Sequence, residues 1–371
     1  MNKRLCDIDS DKIKICGRTN GKMNPISLLW TGSYVEFNVK ASEFSVLVEG
    51  PYETYENWIA IEINGVIVSR RMVSHDREWI HVFRMYNPEV STRVRIIKEV
   101  QAFAGDSKHR LNLYEIKLDG CLLPVKDGDL KIEFVGDSIT SSEGCMGAKE
   151  ENEWISSVFS HVNSYPYMLG KKLSADYSII AQSGWGVYAS YDCNRSCVLP
   201  KVYEDICSVM PQNDGNSNDN GTRWDFGKWK PDVVIINLAT NDDGAFHNTD
   251  PKLMNVLRMN GNEYVQEDID KLSDAIVDFI AMVRRNNPNA YIIWAFGMIE
   301  TGLTDIVRNA VNKYREVAGD NRAEFIRLPV TNEETIGSRC HPGRKNHEQA
   351  ARVLSDRICV LGDSGLIGLR Q

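Results

Sequence analysis

The chain has 371 residues, of which 42% are hydrophobic and 25% are charged, a composition typical of globular proteins with ample core. Its 43 basic and 51 acidic residues give a formal net charge of −8, which argues against nucleic acids and anionic membranes, because both select basic surfaces. No apolar run of about 18 residues occurs, so we predict no membrane-spanning segment. The N-terminal residues lack the apolar core of a signal peptide, from which we predict a cytoplasmic location.

Nine cysteines are scattered along the chain without paired spacing. For a cytoplasmic protein this pattern favours free thiols over disulfides. Cys193 and Cys197 have a spacing seen in metal sites, but no second pair and no nearby histidine completes such a site. We therefore expect no metal site at these cysteines.

Residues 1–125 are predicted to form an all-β domain. Apolar and polar residues alternate in this region, and Asn64-Gly65 is a hairpin turn signal between two strands. Strands are predicted at Tyr34–Val39, Phe44–Glu49, Trp58–Ile63, Val66–Arg71, Trp79–Met85, Arg93–Val100 and Leu111–Leu118. Their number and spacing predict a β-sandwich of the jelly-roll type.

Residues 130–371 are predicted to form an α/β domain, because strands alternate with helices after a short polar connection. Strands are predicted at Lys131–Val135, Tyr177–Ala181, Val233–Leu238, Tyr291–Phe296 and Glu324–Val330. Helices are predicted at Ser164–Leu173, from about Val265 to Val283, at Asp305–Val317 and at Gly343–Val360. This order predicts a parallel sheet covered by helices on both faces. The stretch Asn213–Gly221, rich in Asn, Asp, Gly and Ser, is predicted to be flexible.

The chain is organised around the stretch Lys131–Gly144, KIEFVGDSITSSEG. Its strand stops at Gly136 and delivers Ser138 to what we predict is the first turn of a helix. That position exposes the hydroxyl at the carboxyl edge of the sheet, where open α/β sheets bind ligands. A plain turn is the alternative, since Gly362-Asp363-Ser364 repeats the same tripeptide near the C-terminus.

Three further groups of polar and small residues follow later strands: Ser183-Gly184-Trp185-Gly186, Thr240-Asn241-Asp242 and His341-Pro342. This order resembles the SGNH (GDSL-type) hydrolase superfamily, which implies a three-layer, flavodoxin-like catalytic domain. The β-domain in front, together with Arg223-Trp224-Asp225-Phe226, is similar to carbohydrate esterase family 2. The resemblance covers nearly the whole chain.

The resemblance implies a serine esterase with Ser138 as nucleophile and His341 as base. The backbone N–H groups of Ser138 and Gly184 and the side-chain amide of Asn241 correspond to the three oxyanion donors of the superfamily. These residue types suit ester hydrolysis through an acyl-enzyme, which requires a nucleophile, a base and donors for the oxyanion. No metal or cofactor is implied.

Each assignment has a competitor. Gly186 is the alternative to Gly184, and His347 is the alternative base. Asn241-Asp242 is also a plausible N-cap pair of a helix. The aromatic residues are plausible core residues, although we expect Trp185 and Trp224 to line the substrate pocket, because aromatic faces pack well on sugar rings.

The sequence departs from the superfamily pattern at three positions. The aspartate usually found three residues before the histidine is Ser338, so a backbone carbonyl near Ser338 is the preferred partner of the imidazole. If a carboxylate pairs with the ring instead, Glu333 and Glu334 are the first candidates. The glycine usually found two residues before the asparagine is Ala239. Cys340 adjoins the base, but nothing in the sequence indicates an activated thiol.

The predicted function is removal of O-acetyl groups from acetylated oligosaccharides derived from xylan or mannan, by a Ser–His dyad. Two alternatives stay open: a lipid acylhydrolase or thioesterase of the same superfamily, and a carbohydrate-binding protein that has lost activity. The partner is expected to be the oligosaccharide substrate, without nucleic acid or membrane, and the sequence does not indicate an oligomeric state.

Overall fold

The computed structural model describes residues 2–209 and 221–368, and packing divides them into two compact units. The first unit contains residues 2–128, 154–162, 205–209 and 221–224, and the second contains residues 129–153, 163–204 and 225–368. All of the predicted flexible stretch except Gly221 lies outside the described residues.

The described residues of the first unit form eleven strands in two antiparallel sheets. The strands are β1 (Asn2–Arg4), β2 (Lys14–Cys16), β3 (Ile26–Leu28), β4 (Tyr34–Lys40), β5 (Phe44–Glu49), β6 (Trp58–Ile63), β7 (Val66–Met72), β8 (Glu78–Phe83), β9 (Thr92–Lys98), β10 (Leu111–Leu118) and β11 (Cys121–Leu123). One sheet has the order β1-β10-β5-β8, with β3 also beside β10, and the other has the order β11-β4-β9-β6-β7, with β2 also beside β4.

The apolar faces of the two sheets share one buried cluster. Phe37 of β4 and Phe44 of β5, from different sheets, lie there with ring centroids 5.5 Å apart. The predicted all-β fold is therefore confirmed, while the jelly-roll connectivity stays a prediction. Every predicted strand of this unit is present, and the four additional ones have only three residues each, too few to show alternation.

Residues 154–162 belong to the first unit because a buried carboxylate and an aromatic cluster hold them there. Glu99 accepts hydrogen bonds from Arg70 Nε at 2.9 Å, Ser160 Oγ at 2.9 Å and the Val162 N–H at 3.1 Å. Phe103 packs edge-to-face on Trp154, with centroids 5.4 Å apart. These three donors compensate the buried carboxylate for the loss of its hydration.

The second unit is built on a five-stranded parallel sheet. Its strands are β12 (Leu130–Gly136), β13 (Ala175–Ala181), β14 (Val233–Asn237), β17 (Tyr291–Phe296) and β18 (Ala323–Arg327), and β15 (Met259–Asn260) pairs separately with β16 (Glu263–Tyr264). The order β13-β12-β14-β17-β18 corresponds to 2-1-3-4-5, the doubly wound order of flavodoxin-like folds. The predicted α/β fold is thus confirmed.

The helices of the second unit are α1 (Tyr165–Lys172), α2 (Thr240–Phe246), α3 (Gln266–Asn286), α4 (Thr304–Ala318) and α5 (Arg344–Asp363). The helix predicted from about Val265 to Val283 is α3, and its apolar residues Leu272, Ile276, Phe279 and Val283 are buried. A stripe at this spacing lies on one face of the helix. None of the helices in the described residues is long and apolar enough to cross a membrane.

The helix predicted to follow Ser138 is wrong. Residues 137–144 form consecutive turns, and the next α-helix is α1. Ser142 has a φ of 74°, and this left-handed backbone conformation interrupts helical hydrogen bonding. Helix α2, in contrast, was not among the predicted helices, because seven residues are too few to show helical periodicity.

Candidate active site

Ser138 and His341 lie within hydrogen-bond distance of each other. Ser138 follows the end of β12 by two residues, and His341 lies in the loop between β18 and α5. The Nε2 atom of His341 is 2.9 Å from Ser138 Oγ, and its Nδ1 atom is 2.7 Å from the carbonyl oxygen of Arg339. Because a carbonyl only accepts, Nδ1 carries the proton and Nε2 is left to accept the serine hydroxyl. A neutral ring in this orientation can remove the hydroxyl proton.

Hydrogen bonds of its own backbone close the loop that carries His341. The Gly337 N–H donates to the His341 carbonyl at 2.8 Å, and the His341 N–H donates to the Ser338 carbonyl at 3.0 Å. Arg339 and Cys340 have φ angles of 54° and 57°, a region that residues other than glycine rarely adopt. Such conformations persist only where the surrounding structure determines them, which the closed loop does.

The residue in the position of the usual aspartate does not contact the imidazole. Ser338 is fully buried, and its hydroxyl donates to the carbonyl oxygen of Met146 at 2.7 Å. The imidazole is instead oriented by the neighbouring carbonyl of Arg339. Glu333 and Glu334, the carboxylates that the sequence put forward as alternatives, are both exposed, and Glu333 forms an ion pair with Lys149.

Gly144 allows the His341 loop to approach the Ser138 turn. Its φ is 79°, and a Cβ atom at this position would lie 2.5 Å from the Cβ of His341 and 2.7 Å from the Ser338 carbonyl oxygen. Both distances are far below normal van der Waals contact, so a side chain at position 144 would displace the histidine.

Parallel pairing brings the ends of three strands to one edge of the sheet. Gly136 at the end of β12 pairs with Ala181 of β13 on one side and Asn237 of β14 on the other. Beyond these ends, Ser141 Oγ lies 3.2 Å from Ser183 Oγ. The turns that carry Ser138, Gly184 and Asn241 therefore share this edge, as the sequence predicts.

The side-chain amide of Asn241 is held in a fixed orientation. Its Nδ2 atom donates to the carbonyl oxygen of Trp185 at 3.0 Å. An amide nitrogen carries two protons, so one N–H fixes the group and the second is free to meet another acceptor. The alternative that Asn241 and Asp242 cap a helix is wrong, because the N-cap residue of α2 is Ala239.

Asp242 anchors the loop after β13 to helix α2. Its carboxylate accepts the N–H groups of Val187, Tyr188 and Ala189 at 2.9, 2.8 and 2.9 Å. Burial raises the pKa of Asp242 to about 6, although the three N–H groups oppose this shift. A Cβ atom on Gly186 would lie 2.4 Å from this carboxylate, which gives Gly186 a structural reason to be glycine.

His347, the alternative base, is fully buried in helix α5. Its Nδ1 atom accepts the Tyr165 N–H at 3.2 Å, and its ring stacks on the Tyr165 ring with centroids 5.9 Å apart. Burial lowers the pKa of His347 to about 3. This neutral, buried ring is unsuited to proton exchange with a substrate, which leaves His341 as the candidate base.

A carboxylate that the sequence analysis did not single out lies beside His341. Glu143 has a side chain that is 3% exposed, and its Oε1 atom is 3.9 Å from His341 Nε2 and 2.7 Å from Arg339 Nε. Burial raises the pKa of Glu143, but the charges of His341 and Arg339 and hydrogen bonds from Arg339 and Ser183 outweigh burial and lower it. The residue lies within the central motif, but only the fold brings it to the histidine.

The family of this chain follows from a comparison of sequences. A family model described as the GDSL-like lipase/acylhydrolase family matches residues 134–350, more than half of the chain. The chain belongs to the GDSL-like lipase/acylhydrolase family. The predicted superfamily is therefore confirmed.

Solved structures extend the likeness of this GDSL-like family member beyond the catalytic unit. An acetyl xylan esterase, Est2A, from the rumen bacterium Butyrivibrio proteoclasticus is 36% identical, with a TM-score of 0.93 over 99% of this chain and 100% of that chain. A family two carbohydrate esterase from Clostridium thermocellum, solved in complex with cellohexaose, is 26% identical, with a TM-score of 0.78 over 96% of this chain and all of that chain.

A curated relative, the cellulase/esterase CelE of Acetivibrio thermocellus, is 27% identical over 342 residues. The match covers 89% of this chain but only 37% of CelE, so the chain spans about a third of the length of that relative. The names of these relatives agree with the predicted class, a carboxylic ester hydrolase of carbohydrates.

In this family member, the pocket role predicted for Trp185 and Trp224 stays a prediction. Trp185 is 9% exposed, and Trp224 is a half-buried residue of the first unit with the Arg18 guanidinium 5.7 Å from its ring centroid. Tyr191, in contrast, is 58% exposed and lies against Gly184, where a Cβ atom would be 3.0 Å from the tyrosine ring. The sequence analysis missed Tyr191, because no pattern distinguishes it within an irregular loop.

Ala239, the second departure from the superfamily pattern, has a φ of 102°. This conformation is readily adopted by glycine and is costly for alanine.

Within residues 2–209 and 221–368, no three His, Cys, Asp or Glu side chains form a group that could hold a metal ion.

Proposed function

We propose that this protein is a serine esterase that removes O-acetyl groups from acetylated oligosaccharides derived from xylan or mannan. One observation carries the proposal: Nε2 of His341 lies 2.9 Å from Ser138 Oγ while Nδ1 lies 2.7 Å from the Arg339 carbonyl. This arrangement supports a nucleophile–base pair in which a backbone oxygen orients the base.

In the proposed reaction, His341 takes the hydroxyl proton as Ser138 Oγ attacks the acetyl carbonyl carbon. The tetrahedral intermediate collapses when the C–O bond to the sugar breaks, and the imidazolium returns the proton to the departing sugar oxygen. Water, deprotonated by His341, then attacks the acetyl carbonyl carbon; the bond to Ser138 Oγ breaks, the imidazolium returns the proton to Ser138 Oγ, and the acetyl group leaves as acetic acid, which ionises to acetate in solution. Protons and electron pairs balance in both halves without a cofactor.

The developing oxyanion would be bound by the N–H groups of Ser138 and Gly184 and by the second N–H of Asn241. The amide of Asn241 is already fixed by the Trp185 carbonyl, so its reorientation does not oppose the reaction. Donors fixed in advance stabilise the transition state more than the ground state, and the loss of one typically lowers the rate about 10²–10³-fold.

The sugar substrate is inferred from the relatives and from an exposed aromatic residue. The relatives are named acetyl xylan esterase, family two carbohydrate esterase and cellulase/esterase. The ring of Tyr191, exposed beside Gly184, offers a face on which a pyranose can pack, and we assign it this role ahead of Trp185 and Trp224.

Mass spectrometry of acetylated xylo- and manno-oligosaccharides before and after incubation tests the substrate. We expect each modified oligosaccharide to lose one or more acetyl groups, and the Ser138→Ala variant to leave them intact. A parallel series of 4-nitrophenyl acetate, butyrate and octanoate tests the acyl group. The highest kcat/KM on octanoate would contradict the proposal and favour a lipid acylhydrolase.

A further inference from the structure

The Arg339–Glu143 contact links the two halves of the candidate site. Arg339 lies two residues before His341, and Glu143 lies five residues after Ser138. The Nε atom of Arg339 is 2.7 Å from Glu143 Oε1, and its backbone N–H donates to the Glu151 carbonyl at 2.8 Å. The guanidinium also donates to the Asn152 carbonyl. These contacts fix Arg339 through both its side chain and its backbone.

We propose that the Glu143–Arg339 ion pair is a positioning pair for His341. It takes over the role of the aspartate that the superfamily usually has and that this chain lacks, because Ser338 occupies its position. The inference rests on the proposed function of Ser138 and His341. Arg339 holds its own carbonyl oxygen against Nδ1, and Glu143 places a carboxylate on the opposite side of the ring, near Nε2. The functions of one aspartate, orientation and charge compensation, are thereby divided between two residues.

Orientation follows from the backbone of Arg339. Its φ of 54° is unfavourable for arginine, so the conformation depends on the contacts that hold the residue. The guanidinium, bound to the buried Glu143, is one of these contacts. Arg339 therefore orients the ring through its carbonyl, and the ion pair keeps that carbonyl in place.

Charge compensation follows from the position of Glu143. When Ser138 transfers its proton, the imidazole becomes a cation with Nε2 carrying the new proton. Glu143 Oε1, 3.9 Å from Nε2 in a side chain that is 3% exposed, favours this cation. Opposite charges within about 4–6 Å favour the charged form of each other. Arg339 weakens this attraction but also keeps the carboxylate ionised.

Within residues 2–209 and 221–368, the elements next to His341 carry three further ionisable groups to consider: His347, Asp137 and Cys340. On helix α5, His347 is buried and its pKa is lowered to about 3, so it stays neutral above that pH. On the turn after β12, burial raises the pKa of Asp137 to about 7, so this group titrates near neutrality. Cys340, on the loop itself, is exposed. Asp137 is therefore the group whose titration must be separated from that of His341.

The test compares the wild type with Glu143→Gln, an isosteric change that keeps an oxygen for Arg339 Nε and removes the negative charge. We expect the acid limb of kcat/KM for 4-nitrophenyl acetate to move down by about one pH unit, because the imidazolium loses its neighbouring carboxylate. The plateau should fall roughly tenfold with KM within about twofold. An acid limb in the same place would overturn the proposal. The same comparison in an Asp137→Asn background removes the competing titration.

A second readout does not depend on esterase activity. NMR titration of the His341 ring, assigned with a His341→Asn variant, should show the same downward displacement in Glu143→Gln. If the ring titration moves but the wild type hydrolyses no ester, the proposed function fails and the positioning pair stands. If esterase activity is present and the ring titration does not move, the positioning pair fails alone.

Two further variants complete the test. Glu333→Gln removes the exposed pair with Lys149, and we expect no change in either profile. If Glu143→Gln does not fold, Glu143→Asp retains the charge but retracts it by one methylene. We then expect a displacement of about half a pH unit in the same direction, and an unchanged profile would overturn the proposal.

Discussion

The Nδ1 atom of His341 faces the carbonyl oxygen of Arg339 at 2.7 Å. A backbone oxygen cannot be protonated near neutral pH, so this partner fixes one tautomer of the ring over the working range. It also cannot be removed by substitution of a side chain. The orientation of the histidine therefore depends on the backbone conformation of residues 337–341 and on the contacts that hold it.

Substitution of Ser338 separates its structural role from catalysis. Ser338→Ala removes the bond to the Met146 carbonyl and should lower the free energy of unfolding by about 1–2 kcal/mol. Because the Arg339 carbonyl remains, kcat/KM should stay within about threefold of the wild type. Urea denaturation and a 4-nitrophenyl acetate assay measure the two quantities, and a hundredfold loss of activity in a folded variant would refute this division.

Restoration of the aspartate should not improve the enzyme. In Ser338→Asp the carboxylate would replace a buried hydroxyl that faces the oxygen of Met146, so it would lie beside another acceptor and not beside the ring. An uncompensated buried charge should destabilise the protein by about 3 kcal/mol or more. A variant that is as stable as the wild type and more active would show that the loop can turn this side chain toward His341.

Ser138→Ala tests the nucleophile. We expect turnover of acetyl esters to fall more than about a thousandfold, because no other hydroxyl lies at His341 Nε2 in the described residues. The unfolding transition should stay close to that of the wild type. Mass spectrometry after incubation with a serine-directed phosphonate gives a second measurement, in which only the wild type gains mass. More than a tenth of wild-type activity in the variant would exclude Ser138 as nucleophile.

Ala239→Gly should stabilise the protein by about 1 kcal/mol. The φ of 102° strains alanine, and glycine relieves this strain at some cost in the entropy of the unfolded chain. Ala245→Gly, one residue before the end of helix α2, is the matched control and should destabilise by up to about 1 kcal/mol, because glycine relieves no strain there. Urea denaturation of both variants measures the difference, and two losses of equal size would show that position 239 is not strained.

Asp137 should make stability fall as pH rises toward neutrality. Burial raises its pKa to about 7 from an ordinary value of 3.8, and its Oδ2 atom has no hydrogen-bond partner in the described part of the chain. A raised folded-state pKa stabilises the native protein below the unfolded value, and this contribution is lost as pH rises through the folded value. The free energy of unfolding of Asp137→Asn, measured relative to that of the wild type, should therefore increase between pH 4 and pH 8.

The second Gly-Asp-Ser tripeptide provides the control for that measurement. Asp363 has the same neighbours in sequence but is exposed at the end of α5. Asp363→Asn removes an exposed carboxyl, and its difference from the wild type over the same pH range is the reference for Asp137→Asn. If Asp137→Asn behaves in the same way, the carboxyl of Asp137 is not the titrating group.

Much of the fold could be predicted because periodicity and turn residues report on burial. The β14 run from Val233 to Asn237 is buried at every residue, and such a run in alternation with helices indicates a parallel sheet. Ser138, Gly184, Asn241 and His341 could be proposed from the order of their motifs at strand ends and its resemblance to the superfamily, and their roles stay predictions. Short elements escaped, such as α2 and the three-residue strands, because fewer than two periods carry no signal.

Long-range pairing between side chains could not be predicted from the sequence. Glu143 and Arg339 are 196 residues apart, and nothing in the local pattern of either predicts an ion pair. Tyr191 likewise gains its place beside Gly184 from an irregular loop. The carboxylates proposed from proximity in the chain, Glu333 and Glu334, are exposed to solvent, which shows that nearness in sequence is a weak guide outside regular elements.

The attachment of residues 187–189 to Asp242 has a practical consequence for laboratory evolution. One carboxylate on α2 accepts three successive backbone N–H groups, so the backbone of residues 187–189 is fixed directly to the helix. The exposed residues 194–196 can then be randomised or exchanged in a search for altered specificity, while the bonds to Asp242 hold the inner part of the loop. In libraries that include position 242, most members would lose the three hydrogen bonds to residues 187–189. Their loss of activity would then report on loop structure and not on specificity.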